Sequence, residues 1–549
     1  MVNSFKPVLL IWGIVCLLQA FFTELHPDEA YYWVYSQHLD WGQFHQPPMI
    51  AVFIKIGYFL FENELGVRLI SIATHLFSLA LIFKMVQPKK PWLFGLALAS
   101  LFLLHAGALL AVPDSPLVFF SVLFLWFLKK YLNHDSYTTA LILALIAACI
   151  LYSKYHGILF LGFCLLPNLK ILKRKSFWLI PVLSFLLFVP HILWQIEYDY
   201  PSFRFHLFNR EMVPWKWTWI LEYIGGQVLF LGPVGLILFY FSYKNKSNSA
   251  FDKTLFFTSS AIFLFFLILS FRNKTEANWT ALAFIPLIIS GGKLLESVLK
   301  SKVLLGVVSL IVLFIFTIRI ELATGLFKPD LNLNFKYKFY NSWADAINKK
   351  AGEMPVIFMD SYQLPSLYWF YTGEKSMAYS TAIYPGNQYD FYDFIPDFNG
   401  EKIMVIQTYL DNCPDPVVLP DREICYDVVD VFWTFRSVWM EYSPPKTVKP
   451  GEEFTIEIIV HERFPSQDSL QYYADMVYNE YAFIWIQRKQ VKKNYFSRTK
   501  FNVKHFEQTL HFTLKAPEKE GRYLLSSGIL SFVSIPGRNS YFYPIEVKK

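Results

Sequence analysis

The segment HPDEAYYWVYSQHLDWGQFHQPPMI, residues 26 to 50, concentrates side chains that could perform acid–base chemistry. Asp28 and Glu29 are adjacent, and histidines stand at positions 26, 38 and 45. A positioned carboxylate can accept the proton of an acceptor hydroxyl group. The segment also carries aromatic rings directly after the acids: Tyr31, Tyr32 and Trp33.

Further acids and bases recur beside predicted helix ends. The acids are Asp114, Glu197, Asp199, Glu211 and Glu276, and the bases are Lys154, Arg204, Arg210, Arg272 and Lys274. An interfacial belt explains the aromatic residues, because Trp and Tyr favour the headgroup level of a membrane. It does not explain the recurring ionisable groups, which near membrane depth usually line a cavity.

Such a cavity suits sugar transfer from a lipid phosphate. Cations can bind a phosphate and stabilise the charge that grows on it as it leaves. Tyr and Trp faces suit the apolar faces of a sugar ring, and lipid-facing helices suit a polyprenyl tail. The sequence therefore predicts a membrane enzyme that uses a lipid-linked sugar.

The composition indicates a polytopic α-helical membrane protein. The chain has 549 residues, is 54% hydrophobic and contains 55 Phe, and its net charge is +7. The run from Val8 to Phe22 has no cleavage site after it, so we interpret it as the first transmembrane helix rather than a signal peptide. About eleven such helices are expected, near residues 8–22, 66–83, 92–111, 116–128, 138–152, 157–169, 178–194, 219–241, 254–271, 279–298 and 303–319. Residues 49–60 suggest a re-entrant or interfacial piece.

Basic residues fall in alternate loops of this arrangement. They are Lys84, Lys89, Lys90, Lys129, Lys130, Lys170, Lys173, Arg174, Lys175, Lys244, Lys246, Lys253, Lys300 and Lys302. By the positive-inside rule these loops are cytoplasmic. The N-terminus is then cytoplasmic, and the acidic and aromatic segments lie on the opposite face together with everything after Arg319.

The last third of the chain predicts an extracytoplasmic soluble region. A membrane domain over 1–325 is followed by a small α/β region over 326–425 and a β-sandwich over 426–549. Either a scaffold for the loops or an acceptor-binding role fits this region. Cys413 and Cys425 could form a short-loop disulfide if the region is outside the cytoplasm.

The first segment resembles the first extracytoplasmic loop of GT-C glycosyltransferases. It is most similar to the bacterial branch that is grouped with dolichyl-phosphate-mannose protein mannosyltransferases (glycosyltransferase family 39) and aminoarabinose transferases. The likeness extends in order through VPDSPLVFF, SKYHGILF, ILWQIEYDYPSFRFHLFNR, GGQVLFLGP and KTEANWTALAFIPL. It implies a GT-C fold and an inverting transfer of a monosaccharide from a polyprenyl phosphate. By position, the resemblance makes Asp28 the catalytic base, Glu29 its neighbour in the acidic pair and Asp114 the second carboxylate of the site.

The chain departs from that family at the Pro47-Pro48 motif. Relatives often carry Lys or His before it, whereas Gln46 stands here with His45 one residue earlier. A neutral amide supplies no charge. The expected phosphate-binding groups are Lys154, Arg204, Arg210, His45 and Gln46, and the expected sugar- or acceptor-binding rings are Tyr31, Tyr32, Trp33 and Trp279. Thr280 replaces the Pro that the family carries after Asn-Trp.

No metal-ligand spacing and no nucleotide-binding motif occurs, so we expect no cofactor and no metal. The expected partners are a polyprenyl-phosphate sugar and a lipid A, protein or envelope-glycan acceptor, at a bacterial inner membrane, without nucleic acid. A transporter or flippase for a lipid-linked glycan is the alternative. A structural subunit of an envelope assembly would not require Asp28, Glu29 and Asp114.

Overall fold

The computed structural model divides into two compact units. One comprises Met1–Tyr200 and Trp215–Lys338, and the other comprises Pro201–Pro214 and Phe339–Lys549. The structure describes residues 5–206, 216–244, 249–326, 340–407, 413–418, 423–436, 438–462, 479–487, 494–501, 508–530 and 537–549.

The first unit is built from α-helices. They are α1 (Lys6–Phe22), α2 (Pro27–Gln37), α3 (Met49–Leu60), α4 (Glu64–Val86), α5 (Pro91–Ala99), α6 (Phe102–Leu109), α7 (Asp114–Asn133), α8 (Tyr137–Ser153), α9 (Gly157–Leu165), α10 (Leu179–Glu197), α12 (Thr218–Lys244), α13 (Ala250–Ser270), α14 (Ala281–Val298) and α15 (Lys302–Thr324). The short helix α11 (Pro201–Arg204) belongs to the second unit.

Within the described residues, six helices are long and apolar enough to cross a membrane, and eight if each of two bent helix pairs counts as one span. The chain is thus an integral membrane protein, but the expected count of eleven is not confirmed. The predicted span 92–111 breaks into α5 and α6, which are bent by 79°. Residues 49–60 form the short apolar helix α3.

The helices pack around an apolar core. Buried side chains from α4, α7, α8, α13 and α14 meet there, including Leu79, Leu125, Leu143, Leu255 and Ile288. Dispersion contacts and small polar bonds hold helices together where lipid removes most of the hydrophobic driving force. Buried Ser259 of α13, for example, donates to the carbonyl of Ala283 on α14 at 2.9 Å.

Helices α1 and α2 are bent by 85°, and local sequence explains the bend. The ring Nδ1 of His26 accepts from the backbone N–H of Asp28 at 3.1 Å, and the Glu29 carboxylate accepts from the backbone N–H of His26 at 2.9 Å. This reciprocal pair is a capping box with His in place of the usual Ser or Thr. Pro27 at the first helical position is also favourable there, because its missing N–H has no partner to lose.

The second unit begins with the predicted α/β part. Helices α16 (Tyr340–Ala351) and α17 (Gln363–Thr372) accompany a sheet of order β2-β1-β3-β5-β4. Its strands are β1 (Val356–Met359), β2 (Met377–Tyr379), β3 (Ile403–Gln407), β4 (Val417–Val418) and β5 (Glu423–Val429). Strand β1 pairs in parallel with both β2 and β3. Cys413 and Cys425 are joined by a disulfide in this part.

The remainder is the expected β-sandwich. One sheet has the order β10-β9-β12-β13-β7 and the other β11-β8-β6. The strands are β6 (Val438–Tyr442), β7 (Thr447–Val448), β8 (Glu453–Glu462), β9 (Asn479–Gln487), β10 (Asn494–Phe501), β11 (Gln508–Lys515), β12 (Gly521–Leu530) and β13 (Tyr543–Val547). Side chains of both sheets share one core, for example Met440 and Ile458 with Leu525 and Ile545.

Candidate active site

The two adjacent acids at the start of α2 have opposite environments. Glu29 is fully buried, whereas the side chain of Asp28 is 36% exposed. Successive helical residues point about 100° apart, so one of two neighbours can face the interior while the other faces the surface. Asp28 is therefore accessible to a substrate, and Glu29 is not.

Arg68 of α4 neutralises Glu29. Its Nε lies 2.8 Å from Oε1 and its Nη2 lies 2.6 Å from Oε2, a two-point geometry that favours a guanidinium over an ammonium. The remaining N–H groups of Arg68 donate to three carbonyls at the end of α1, those of Ala20, Thr23 and Glu24. The buried cation thus joins the end of α1 to the start of α2.

Glu29 also joins this region to the second acidic segment. Its Oε1 accepts from the backbone N–H of Ala111 at 2.8 Å, three residues before Asp114. Asp114 is the first residue of α7. A negative side chain at a helix start is favoured by the N–H groups that have no helical partner there. One buried glutamate therefore holds the backbone of both acid-bearing segments.

Asp114 and Lys154 form the second ion pair of the site. The Lys154 ammonium lies 2.9 Å from each carboxylate oxygen of Asp114, and Asn278 donates to Oδ2 at 3.3 Å. Their side chains are 18% exposed for Asp114 and 7% exposed for Lys154. An ammonium has three N–H donors. Two are directed at Asp114, and the third has no partner in the described part of the chain.

The expected phosphate-binding residues of the first loop lie close to α2. His45 Nδ1 and the Tyr31 hydroxyl are 3.1 Å apart, within hydrogen-bond distance. The side-chain oxygen of Gln46 is buried without a hydrogen-bond partner among the described residues. The structure therefore places His45 beside Tyr31 and leaves Gln46 with unused hydrogen-bonding capacity.

Side chains near the end of α10 hydrogen-bond to the loop between α2 and α3. His191 donates from Nδ1 to the carbonyl of Trp41 at 2.9 Å, and the Trp194 indole donates to Asp40 at 2.7 Å. Gly42 lies against the Trp194 ring, where an added Cβ would come within 2.1 Å of a ring carbon. The Asp-Trp-Gly part of the motif thus has a packing role.

The expected sugar-binding rings differ in accessibility. Tyr31 and Trp33 are buried, and Tyr32 is partly exposed. Trp279 packs against His156 and Phe266, with ring centroids 5.0 and 5.7 Å away. Of these four rings, Tyr32 and Trp279 are therefore the two that are partly exposed.

Two other expected cations do not belong to the described membrane unit. Arg204 lies in the second unit, where its guanidinium is 4.3 Å from the centre of the Tyr541 ring. Arg210 lies outside the described residues. Within the described ranges, no group of three or more His, Cys, Asp or Glu side chains is arranged to hold a metal ion.

Sequence reasoning missed Arg68, Asn278 and His191. Arg68 had an available signal, because an arginine inside an apolar helix needs a buried partner. Asn278 stands one residue before Trp279, and His191 lies within the apolar run of α10. For these two, nothing short of the tertiary structure identifies the partner.

The chain resembles known proteins in sequence and in fold. Residues 45–194 match the family model described as dolichyl-phosphate-mannose-protein mannosyltransferase. The lipid A galacturonosyltransferase RgtD of Rhizobium johnstonii is 25% identical over 296 residues, which cover 50% of this chain and 61% of that protein. The chain thus matches less than two thirds of that relative's length.

Solved structures of ArnT from Cupriavidus metallidurans have the same fold. The apo structure aligns with a TM-score of 0.55 at 16% identity and covers 76% of this chain and 96% of that one. The structure bound to undecaprenyl phosphate gives 0.56 at 16% identity, covering 76% and 97%.

The chain is thus an integral membrane protein with the GT-C fold. In sequence, residues 45–194 resemble the dolichyl-phosphate-mannose-protein mannosyltransferase family, the resemblance that the first loop indicated.

Proposed function

We propose that the protein is an inverting glycosyltransferase that moves a monosaccharide from a polyprenyl phosphate to a lipid acceptor on the extracytoplasmic face of a bacterial inner membrane. One observation carries this proposal. Of the three expected catalytic acids, Glu29 forms an ion pair with Arg68 and Asp114 forms one with Lys154. Asp28 has the most exposed side chain of the three. Asp28 is therefore the acid best suited to act as a base.

The reaction needs no covalent enzyme intermediate. Asp28 accepts the proton of the acceptor hydroxyl, whose oxygen forms the new bond to the anomeric carbon on the side opposite the phosphate. The bond from that carbon to the phosphate oxygen breaks, and the electron pair leaves with the polyprenyl phosphate. Holding the two reactants in line supplies much of the acceleration.

Lys154 is the proposed phosphate-binding cation. Its third N–H can donate to a phosphate oxygen while the other two remain on Asp114. His45 and Gln46 are proposed secondary donors, and Tyr32 is the proposed sugar-contacting ring. Glu29 is a positioning residue in this scheme, because Arg68 occupies both of its oxygens.

The relatives of the chain support the same proposal. RgtD is named as a lipid A galacturonosyltransferase, and ArnT was crystallised with undecaprenyl phosphate. We therefore favour a polyprenyl-phosphate-linked donor and a lipid acceptor over the protein and glycan acceptors. The transporter alternative has no observation in its favour.

A donor panel tests the proposal. Purified protein would be incubated with radiolabelled polyprenyl-phosphate sugars, with and without a crude envelope extract, for wild type and Asp28→Asn. Extract-dependent loss of donor that disappears in the variant supports transfer. No turnover of any donor, in protein that moves labelled lipid between leaflets, supports the transporter instead.

A further inference from the structure

The membrane unit contains a cavity between α4, α6, α7 and α14 that the proposed mechanism does not use in full. Most of its lining is apolar and includes Leu79, Leu103, Val118, Phe284 and Ile288. Asp114 and Asn278 also line it, so the cavity is continuous with the second ion pair of the site. A chain bound there would extend away from the reacting groups into the helix bundle.

Two polar atoms in the lining of this cavity have no hydrogen-bond partner among the described residues. They are Oγ of Ser71 and Nε2 of His75, in residues that are 2% and 7% exposed. Both belong to α4 and stand four positions apart, which places them one turn apart on the same helix face. Ser78 also lines the cavity but already donates to the carbonyl of Thr74 at 2.8 Å.

Buried polar groups normally have partners, and leaving one unpaired is costly. A pure hydrocarbon chain, such as the isoprenoid tail of a lipid-phosphate donor, would leave Ser71 and His75 unpaired. An apolar chain that carries a hydroxyl group would fill the apolar lining and also pair with these two atoms, since a hydroxyl both donates and accepts.

We propose that this cavity binds the hydroxylated acyl chain of an amphipathic lipid, with the chain hydroxyl hydrogen-bonded to Ser71 and His75. Assigning that lipid the part of the acceptor rests on the proposed function. The binding site itself rests only on the lining of the cavity and on the two unpaired atoms. The isoprenoid chain of the donor would then bind elsewhere.

Binding can be measured without the transfer reaction. The full chain in phosphatidylcholine nanodiscs would be titrated with tetradecanoates that carry a hydroxyl at the β-carbon, at mid-chain or nowhere, in competition with a radiolabelled tetradecanoate. At least one hydroxylated chain should bind about tenfold tighter than the plain chain, the ratio expected for one buried hydrogen bond.

Four variants test which residues of the cavity bind the chain and its hydroxyl group. Ser71→Ala and His75→Phe should each bring the hydroxylated and plain chains to equal affinity. Phenylalanine is chosen at position 75 because it keeps a ring beside Trp12, whose ring centroid lies 6.0 Å from that of His75. Ser78→Ala is the matched control and should keep the preference. Gly107→Leu should abolish binding of both chains, because Gly107 lines the cavity and an added Cβ there meets no atom within 4 Å.

Equal affinities in the wild type would overturn the hydroxyl assignment and would mean that water satisfies Ser71 and His75. Binding that Gly107→Leu leaves unchanged would overturn the cavity as the site. If His75→Phe fails to fold, Ser71→Ala decides alone. A protein that prefers the hydroxylated chain but consumes no polyprenyl-phosphate sugar would overturn the proposed function and leave this site standing.

Discussion

Glu29 and Arg68 form a two-point ion pair in which both side chains are almost completely buried, at 0% and 3% exposure. The same glutamate accepts from the backbone N–H of Ala111. Residues 39 positions apart in the chain therefore fix the segments that carry Asp28 and Asp114. In the proposed mechanism, this pair positions the site and takes no part in proton transfer.

Breaking this pair should be costly to stability. Glu29→Gln leaves the Arg68 cation buried without a counter-charge, and removing one partner of a buried ion pair typically costs about 3–5 kcal/mol. We expect that loss in chemical unfolding of the purified protein in detergent. Glu276→Gln is the control, since its pair with Lys274 is exposed and worth about 1 kcal/mol or less.

A double variant separates pairing from packing. If the cost of Glu29→Gln comes from the stranded cation, adding Arg68→Gln should cost less than the sum of the two single changes. If the two losses of unfolding free energy simply add, the two side chains stabilise the fold independently. That result would contradict the pairing that we assign to them.

Lys154 should act on the donor as well as on Asp114. Lys154→Met should raise the donor KM by about tenfold or more, because a charged hydrogen bond to the phosphate is lost. If Lys154 only neutralised Asp114, the double variant Asp114→Asn/Lys154→Met would restore the donor KM of the wild type. We expect the KM to stay raised in the double variant, as measured by steady-state kinetics at fixed acceptor.

The sequence indicated where the acids of the candidate site lie, but not which side chains they contact. The acids beside helix ends were recognisable, because their positions relative to the apolar runs follow from hydropathy alone, but the separate helix α2 that begins at Pro27 was not predicted. The partner of Glu29 was not, since pairing it with Arg68 requires the packing of α4 against the bend between α1 and α2. The expected count of about eleven helices stays unconfirmed, and hydropathy alone did not reveal the break between α5 and α6 inside one apolar run.

The orientation in the membrane stays a prediction that labelling can test. Lys89→Cys should react with a membrane-impermeant maleimide only after permeabilisation, whereas Lys274→Cys should react in intact cells. Both variants would be made with Cys149, which is free and partly exposed, replaced by Ser; background labelling should then be low, because Cys16 and Cys164 are buried and Cys413 is bridged to Cys425. The reverse pattern would place the acids on the cytoplasmic face and contradict the proposal.

The disulfide should stabilise the second unit. It joins cysteines 12 positions apart, and closing a loop of that size is worth about 3 kcal/mol in the chain-entropy model. Cys413→Ser/Cys425→Ser should lower the unfolding midpoint of the full chain, with Cys149→Ser as a control. An unchanged midpoint would mean that the bridge adds no stability.

The most direct test of the central claim is a rapid-mixing measurement on wild type and Asp28→Asn, with labelled donor whose sugar has been identified by the panel. If Asp28 is the base, the variant should bind donor with nearly wild-type affinity while transfer slows by roughly 100- to 10,000-fold. A variant with a raised donor Kd and an unchanged rate of transfer would contradict that assignment and would make Asp28 a binding residue.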